Sequence, residues 1–227
     1  GARALVLRVR AAPRAADVAA FAAFGAKHGV DMYLQPGGPG TVAPIGAART
    51  LSYSLEQFGV TLQFLPTDFV QVNAEVNAEL VATAVRLADV QPADRVLDLY
   101  AGVGLFSVAL AARGAQVTAV ESESFAAEDL ATNAAAWGAR LQVVRATVED
   151  AIRRPAPPPS AVVLDPPRTG VSPGALADLA AWHVPTLVYV SCDPPTLARD
   201  AAKLVAAGYH LASIEAFDLF PNTPHVE

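Results

Sequence analysis

The stretch Arg95–Phe106, RVLDLYAGVGLF, decides the fold. Its first half has the length and apolar composition of a strand buried in a parallel sheet. Gly102 and Gly104 then belong to a turn almost without side chains, and Leu105 begins a helical pattern that stops at Gly114. A strand, a glycine turn and a helix form the front of a nucleotide-binding Rossmann unit, because glycines let the backbone approach a ligand closely.

Two acidic residues near this turn favour a ligand that contains a ribose. Asp98 lies inside the predicted strand, and Glu121 ends the next one. An acidic residue about 20 positions after the turn can accept hydrogen bonds from ribose hydroxyls. NAD-dependent dehydrogenases and S-adenosylmethionine methyltransferases share this feature, so these residues alone leave both classes open.

The composition is that of a globular chain with one large domain or somewhat more. The 227 residues are 53% hydrophobic and 17% charged, with a mean hydropathy of +0.34. No segment is apolar enough to span a bilayer, and the first residues do not form a signal peptide, so we expect no membrane partner. The chain begins with Gly1 in place of Met, and we expect a fragment or a processed product.

Charge and cysteine content limit the partners and the compartment. The formal net charge is −6 and the pI is about 5.2, which counts against extensive nucleic-acid binding but leaves room for a small basic patch. One cysteine excludes an internal disulfide and predicts the reducing cytoplasm as the location.

The opening third predicts a partial α+β domain at 1–66, without a βαβ rhythm. Its pattern is a half-exposed strand, an amphipathic helix, a second strand and a Pro-Gly loop, at Ala4–Val9, Pro13–His28, Val30–Leu34 and Pro36–Pro44. We place the domain boundary near Pro66–Gln71, so that the second domain covers 67–227.

From Asn73 onward, strands alternate with helices. The predicted helices cover 74–88, 105–113, 124–137, 174–182 and 194–207, and the predicted strands cover 96–100, 117–121, 141–144, 161–165, 186–191 and 210–217, with a proline-rich break at 155–159. This pattern predicts an α/β fold with a doubly wound, mostly parallel sheet. Ligands of such sheets bind at the carboxyl ends of the strands.

Two of these strand ends carry chemically informative residues. Asp165-Pro166-Pro167-Arg168 is a rigid turn that fixes a carboxylate, although such a turn can also merely end a strand. Ser191-Cys192-Asp193-Pro194 ends the next strand, and Asp193 can cap the helix that follows. A helix N-terminus favours a thiolate, but the charge of Asp193 opposes it, and a lone cysteine is often only a small buried apolar residue.

Five motifs together resemble the RNA uracil-C5 (5-methyluridine) methyltransferases: FVQVNAEVN, DLYAGVGLF, VVLDPPRTGV, YVSCDPPTLARD and LFPNTPHVE. The segments YLQPGGPGTV at 33–42 and LSYSL at 51–55 look most like the branch that acts on large-subunit (23S) ribosomal RNA. The resemblance implies an α/β, Rossmann-like class I S-adenosylmethionine methyltransferase sheet, preceded by the partial α+β domain and without its C-terminal strand. It also implies RNA as the partner and names no protein partner.

The resemblance further implies a site. Cys192 would be the nucleophile that attacks C6 of uracil, and Glu227, in His225-Val226-Glu227, would be the base that removes the C5 proton. Phe69 would stack on the base and Arg168 would contact the substrate, with no metal involved. The residues implied for S-adenosylmethionine are Gln71, Tyr100, Gly102, Gly104, Glu121, Thr147 and Asp165. Without the family motif, Phe69 would equally suit core packing, and Glu227 a solvated terminal charge.

The chain departs from the family in several ways. Ala101, Leu105 and Asp193 stand where Cys, Asn and Asn are common in the family. The N-terminal β-barrel and the cysteine-ligated iron–sulfur cluster of the family cannot be built from these residues. We also expect the backbone of Glu227 to be an unanchored terminus.

Other functions remain open at this point. The nearest alternative is a tRNA uracil-C5 methyltransferase. An RNA cytosine-C5 methyltransferase has a second cysteine where Arg168 stands, and an amino-group methyltransferase usually has an aromatic residue after its Pro-Pro. An NAD-dependent oxidoreductase gives no role to Cys192 or Asp165. A catalytically silent RNA-binding protein would keep the fold without the chemistry.

Overall fold

The computed structural model describes residues 2–71, 73–154, 157–223 and 226–227. Val72, His225 and part of the predicted proline-rich break therefore lie outside the described residues. The chain divides into two compact units, Gly1–Ser54 with Thr61–Phe69 and Leu55–Val60 with Val70–Glu227. The domain boundary predicted at 66–67 stays a prediction.

The first unit contains a βαβ arrangement, so the prediction that it lacks one is wrong. Strand β1 (Ala4–Arg8) pairs in parallel with β2 (Asp31–Gln35), and helix α1 (Ala15–His28) connects them. A short strand, β3 (Ala43–Pro44), lies antiparallel to β2. The helix packs closely on β2 because Gly25 has no side chain: a Cβ there would lie 2.6 Å from Met32 Cγ. A single crossover gives no repeating pattern in the sequence, which is why the periodicity did not indicate it.

Strands β4 (Leu51–Leu55) and β5 (Val60–Phe64) form a two-stranded sheet. A 3₁₀ turn, Glu56–Phe58, and Gly59 connect them, and Gly59 has a φ of 64°. Leu55 and Leu62 are fully or almost fully buried. Leu62 and Phe64 alternate with polar residues along β5, as is typical of a strand with one buried face.

The second unit is built on a five-stranded parallel sheet with the strand order β10-β9-β6-β7-β8. Its strands are β6 (Arg95–Leu99), β7 (Gln116–Glu121), β8 (Leu141–Arg145), β9 (Ala161–Leu164) and β10 (Thr186–Tyr189). Its helices are α2 (Ala74–Ala88), α3 (Leu105–Ala112), α4 (Ser124–Ala134), α5 (Val148–Ile152), α6 (Pro173–Ala181) and α7 (Pro194–Ala206). The predicted α/β class with a doubly wound sheet is confirmed.

The sheet is covered on both faces, which explains its continuous apolar runs. All four residues of β9 are buried, as is Leu99 at the end of β6. The chain order reverses at β6, which has β7 on one side and β9 on the other. Such a reversal opens a crevice at the carboxyl ends of the strands, where doubly wound folds bind their ligands.

Local sequence signals set the helix starts around this crevice. Gly104 precedes α3 with a φ of 99°, and a Cβ at this position would lie 2.6 Å from Leu130 Cδ1, so glycine is needed there. The Asp193 carboxylate caps α7 by accepting the Thr196 N–H at 2.9 Å, with Pro194 as the first helical residue. Both the glycine turn and this cap follow the sequence prediction. Helix α5 was not predicted from the sequence.

The strand predicted at 210–217 is wrong. The structure assigns no strand to these residues, and 211–216 are exposed. Phe217 instead exchanges two backbone hydrogen bonds with Glu227, at 2.8 and 3.1 Å. An apolar alternation forms a strand only where a neighbouring strand completes the hydrogen bonds, and among the described residues of this segment only Phe217 exchanges such bonds. The expectation that the Glu227 backbone is unanchored is therefore also wrong.

Candidate active site

The turn after β6 places its backbone beside an open space. Tyr100 has a φ of 61° and Gly102 a φ of 54°, so both have left-handed backbones, which is unusual for a tyrosine. Apart from Gly102 and its two chain neighbours, no described residue has an atom within 4 Å of the position that a Gly102 Cβ would occupy. Strained backbone of this kind, worth about 1–3 kcal/mol, concentrates at ligand sites. The turn is thus built to let a ligand approach its main chain.

Glu121 is fixed against this turn by two backbone donors. The Gly102 N–H donates to one carboxylate oxygen at 2.9 Å, and the Glu123 N–H donates to the other at 2.7 Å. The side chain is therefore oriented before any ligand arrives. Each carboxylate oxygen has a further lone pair, so Glu121 can also accept hydrogen bonds from a ligand hydroxyl.

A cavity of about 270 Å³ opens at the carboxyl ends of β6, β7 and β8. Three of the predicted cofactor residues line it, namely Tyr100, Glu121 and Thr147. Burial, together with Glu149 and Asp200, raises the pKa of Tyr100 to about 12, so its hydroxyl keeps its proton. The other lining residues are Ser122, Ala146, Val148, Glu149, Thr169, Gly170 and Ser172.

Glu149 and Ser172 line the cavity but were not predicted from the sequence. The Ser172 hydroxyl donates to Glu149 at 2.5 Å, and this hydrogen bond is the main cause that lowers the pKa of Glu149. Thr147 caps α5 by accepting the Asp150 N–H at 3.1 Å. Ser172 followed by Pro173 is a helix-start signal that could have identified this position, because Ser172 caps α6. No feature of the neighbouring sequence indicates that Glu149 accepts a hydrogen bond from Ser172.

A second cluster surrounds the cysteine, next to the carboxyl ends of β9 and β10. Cys192 is partly buried, and its pKa is raised by burial, by Glu227 and by Asp165, while Arg168 acts in the opposite direction. The structure therefore brings four of the predicted site residues together. The thiol is disfavoured as a thiolate in this state, in contrast to what its place before a helix suggests. Burial and two acidic neighbours outweigh the helix N-terminus.

The acidic groups of this cysteine cluster are partly buried, and burial raises the pKa of each. Burial, with added repulsion from Glu227 and Asp98, raises the pKa of Asp165 to about 7. Asp98 has no exposed surface, accepts the Ser107 hydroxyl, and has a pKa raised by burial to about 7. Burial also raises the pKa of Glu227, while a hydrogen bond with Gln71 and the charge of Arg168 oppose the change.

Three buried oxygen atoms of this region lack a hydrogen-bond partner among the described residues. They belong to Gln71, Asp98 and Glu227. A buried polar atom without a partner costs about 1–3 kcal/mol, so it points to a ligand that completes the site. With the open space at Gly102, these atoms suit a polar ligand that lies across the turn and reaches the cysteine.

Phe69 belongs to the first unit, and its side chain is 76% exposed. This exposure does not support the alternative of ordinary core packing. Stacking of Phe69 on a base stays a prediction.

The described residues contain neither a metal-binding group nor a membrane-spanning helix. No group of three or more His, Cys, Asp or Glu side chains in the described part of the chain could hold a metal ion. The iron–sulfur cluster expected for the family is ligated by several cysteines, and a chain with one cysteine does not fit it. None of the helices in the described ranges has the length and apolar character needed to cross a membrane.

The sheet and the site leave two classes. A parallel sheet with a glycine turn after its central strand and an acid at the end of the next strand is shared by NAD-dependent dehydrogenases and class I S-adenosylmethionine-dependent methyltransferases, and the family match selects the methyltransferases. The family model for tRNA (uracil-5-)-methyltransferases matches residues 53–154 and 158–227. The chain belongs to this family, and the predicted resemblance is confirmed.

Individual relatives agree with this assignment. The chain is 41% identical, over 99% of its length, to the 23S rRNA (uracil(1939)-C(5))-methyltransferase RlmD of Ralstonia nicotianae, and 40% identical, over 99% of its length, to that of Methylococcus capsulatus. It spans 53% and 52% of these proteins, about half the length of the curated relatives it matches.

A solved structure agrees as well. The Pyrococcus abyssi tRNA (uracil-54, C5)-methyltransferase in complex with S-adenosyl-L-homocysteine superposes with a TM-score of 0.72 at 29% identity. The match covers 86% of this chain and 49% of that protein.

Proposed function

We propose that this chain is the catalytic part of an enzyme that methylates C5 of a uridine in 23S ribosomal RNA, with S-adenosylmethionine as the methyl donor. The observation that carries the proposal is the cysteine cluster, in which a lone thiol, two partly buried carboxyl groups and an arginine act on one another's charge. The high similarity to 23S ribosomal RNA enzymes supports the choice of RNA.

The chemistry explains why a thiol and a base are both needed. C5 of uracil is a poor nucleophile. The Cys192 thiol first loses its proton to solvent. When the resulting thiolate forms a bond to C6, the electron pair of the C5–C6 double bond moves into an enolate, and C5 becomes nucleophilic. S-adenosylmethionine supplies the methyl group, which C5 accepts. A base then removes the C5 proton, the C5–C6 double bond forms again, and the C6–S bond breaks to release Cys192.

Glu227 suits the role of that base. Burial raises its pKa, and a more basic carboxylate accepts a proton more readily. It also acts on the Cys192 thiol, because its charge raises the pKa of that group. Arg168 lowers the pKa of both groups, so we propose that it stabilises the negative charge that passes between sulfur, base and substrate.

We assign the cofactor to the cavity and the adjoining turn. Glu121 would accept the ribose hydroxyls, Thr147 would lie on the adenine side, and Gly102 and Gly104 would permit close backbone approach. Gln71 interacts with Glu227 and Asp165 with Cys192, which supports their assignment to the end of the cofactor that carries the methyl group. The unpartnered oxygen of Gln71 supports this assignment.

The proposal also names a residue that contacts the RNA, the kind of RNA and the location of the reaction. An exposed aromatic ring such as Phe69 can stack on a base that has left the RNA helix. Ribosomal RNA is the partner that we propose, and the cytoplasm is the location.

The test is transfer of tritiated methyl groups to 23S ribosomal RNA from a strain that lacks the modification. Label in 5-methyluridine supports the proposal. Label in 5-methylcytidine, or no label although the protein binds S-adenosylhomocysteine, contradicts it. The tRNA enzyme found among the solved structures makes tRNA the second candidate, and the same assay with unmodified tRNA separates the two.

A further inference from the structure

The buried Asp200 carboxylate of helix α7 accepts a hydrogen bond from the loop that follows β9. Asp200 has no exposed surface, and it accepts the Val171 N–H at 3.0 Å and the Tyr189 hydroxyl at 2.9 Å. The Arg199 guanidinium donates to its other oxygen at 2.8 Å. Burial alone would raise the pKa of Asp200, but the hydrogen bonds from Arg199, Tyr189 and Val171 outweigh it and lower the pKa.

Two further hydrogen bonds bind the same loop to α7. Arg199 donates to the Thr169 carbonyl at 2.9 Å, and the Thr196 hydroxyl donates to the Arg168 carbonyl at 3.0 Å. Between them, Gly170 has a φ of 75°, and a Cβ there would lie 2.5 Å from both Arg199 and Asp200. The segment Arg168–Val171, which we call the anchored loop, is therefore pressed against the helix along its whole length.

The anchored loop serves both parts of the site. Thr169 and Gly170 line the cavity, and Arg168 acts on the charge of Cys192. Helix α7 itself begins two residues after Cys192. Helix α7 therefore contacts the anchored loop, which contains Arg168, and directly follows the loop that contains Cys192. It fixes the two loops relative to each other.

Fold stability alone does not explain a buried carboxylate at this place. Burying a charge carries a large desolvation penalty, and an apolar side chain of similar size often stabilises a fold equally well. A charged group with several donors fixes one geometry of the groups around it. Here those groups belong to the anchored loop and to β10.

We propose that Asp200, with Arg199 and Tyr189, is a positioning residue that sets the place of the anchored loop, and through it the cavity wall and the position of Arg168 beside Cys192. The inference rests on the proposed function, because it assigns the loop to the cofactor and thiol sites of that reaction. It concerns residues that line neither site.

The experiment uses Arg199→Lys, which keeps the charge but lacks the planar fork that reaches Asp200 and Thr169 together. Because the Arg199 side chain is 47% exposed, we expect this variant to fold. Tyr189→Phe removes one hydroxyl in a second variant. Lys203→Ala is the matched control, since no hydrogen bond among the described residues joins the Lys203 side chain to the anchored loop.

The first readout is alkylation of Cys192 by iodoacetamide as a function of pH, which is specific because the chain has one cysteine. The charged and titratable groups that act on this thiol are Glu227 from the C-terminal segment, Asp165 after β9, and Arg168. If the anchored loop shifts, the favourable effect of Arg168 weakens. We expect the alkylation midpoint to rise by about half a pH unit in both variants, which is a roughly threefold loss of rate below the midpoint.

The second readout is the affinity for S-adenosylhomocysteine by calorimetry, which we expect to fall about tenfold, the effect of one lost hydrogen bond. Lys203→Ala should match the wild type in both readouts. An unchanged alkylation profile in Arg199→Lys and Tyr189→Phe, even with a lower melting temperature, overturns the proposal, because the network then only stabilises the fold. Failure of methyl transfer to RNA with a shifted alkylation profile refutes the proposed function and leaves the positioning role supported.

Discussion

The acidic side chains around the cavity and those around the cysteine lie in opposite environments. Around the cavity, Glu121 accepts two backbone N–H groups and Glu149 accepts the Ser172 hydroxyl. Around the cysteine, Asp165 and Glu227 are partly buried, and burial raises both pKa values; repulsion from Glu227 and Asp98 adds to the rise at Asp165. Hydrogen bonds stabilise the charged form of a carboxyl group, whereas burial beside like charge stabilises the neutral form.

This difference suits the cavity to ligand binding and the cysteine cluster to proton transfer. Carboxylates that are already satisfied by the protein do not rearrange when a ligand arrives, so the cavity is preorganised. A carboxyl group with a pKa near 7, such as Asp165, gains or loses a proton at little cost, which is what proton transfer needs. Variants on the cavity side should therefore change affinity, and variants on the cysteine side should change turnover.

The sharpest test of this comparison is Cys192→Ala. The thiol lies outside the cavity lining, so we expect methylation to be abolished while the affinity for S-adenosylhomocysteine stays near that of the wild type. Tritium transfer and calorimetry measure the two effects. RNA with 5-fluorouracil should form a covalent complex with the wild type only, because fluorine cannot leave as a cation. Methylation that persists in the variant would remove Cys192 from the mechanism.

Glu227→Gln should have the next largest effect. If Glu227 removes the C5 proton, the variant still forms the adduct and accepts the methyl group, but release slows about a hundred- to ten-thousandfold. Ordinary RNA should then remain attached to Cys192 and run with the protein on a denaturing gel.

Asp218→Asn is the control for that experiment, because Asp218 is an exposed acid close to Phe217, which pairs with Glu227. It should release its product as the wild type does. Normal turnover of Glu227→Gln, with adduct accumulating in Asp218→Asn, would move the base to Asp218.

Glu121→Ala tests the cavity side. Loss of a hydrogen bond to a charged group costs about 1.5–3 kcal/mol, so S-adenosylhomocysteine should bind roughly ten- to a hundredfold more weakly. Glu128→Ala removes an exposed acid from α4 and should bind normally. Equal affinity of Glu121→Ala and the wild type, or tighter binding of NAD, would refute the assignment of the ribose to Glu121.

The parts of this arrangement that depend on local sequence could be predicted. The strand, turn and helix of Arg95–Ala112 follow from an apolar run, two glycines and a helical period, and the cap at Asp193 follows from Asp-Pro. Each of these signals acts within a few residues of the chain. Of the cavity residues, Glu121 follows from its spacing after the glycine turn, whereas Tyr100 and Thr147 follow from the family resemblance.

What depends on contacts distant in sequence could not be predicted. Asp200 meets Val171 across 29 residues, and Ser172 meets Glu149 across 23, and no pattern within α7 or α5 indicates these partners. The direction of the Cys192 pKa depends in the same way on Asp165 and Glu227. The helix that follows the cysteine is visible in the sequence, but the acids that outweigh it come from other elements.

The smallest effect that we predict is a dependence of cofactor preference on pH. S-adenosylmethionine carries a positive sulfonium, and S-adenosylhomocysteine is neutral at that atom. The folded protein keeps Asp165 and Asp98 partly protonated near pH 7, since both have a pKa of about 7. As the pH rises through this range the groups become negative, and a cation nearby is then stabilised. The affinity ratio of S-adenosylmethionine to S-adenosylhomocysteine should therefore increase between pH 6 and pH 8, by about fivefold.

Calorimetry at both pH values with both ligands measures this ratio, and Asp165→Asn is the matched variant. It keeps the size of the side chain but cannot ionise, so the ratio should change less with pH than in the wild type. The sign is fixed by the raised pKa: an acid with an ordinary value would already be charged at pH 6, and the ratio would be flat. A flat ratio in the wild type, or one that falls with pH, would show that the cysteine cluster does not act on the methyl-bearing end of the cofactor.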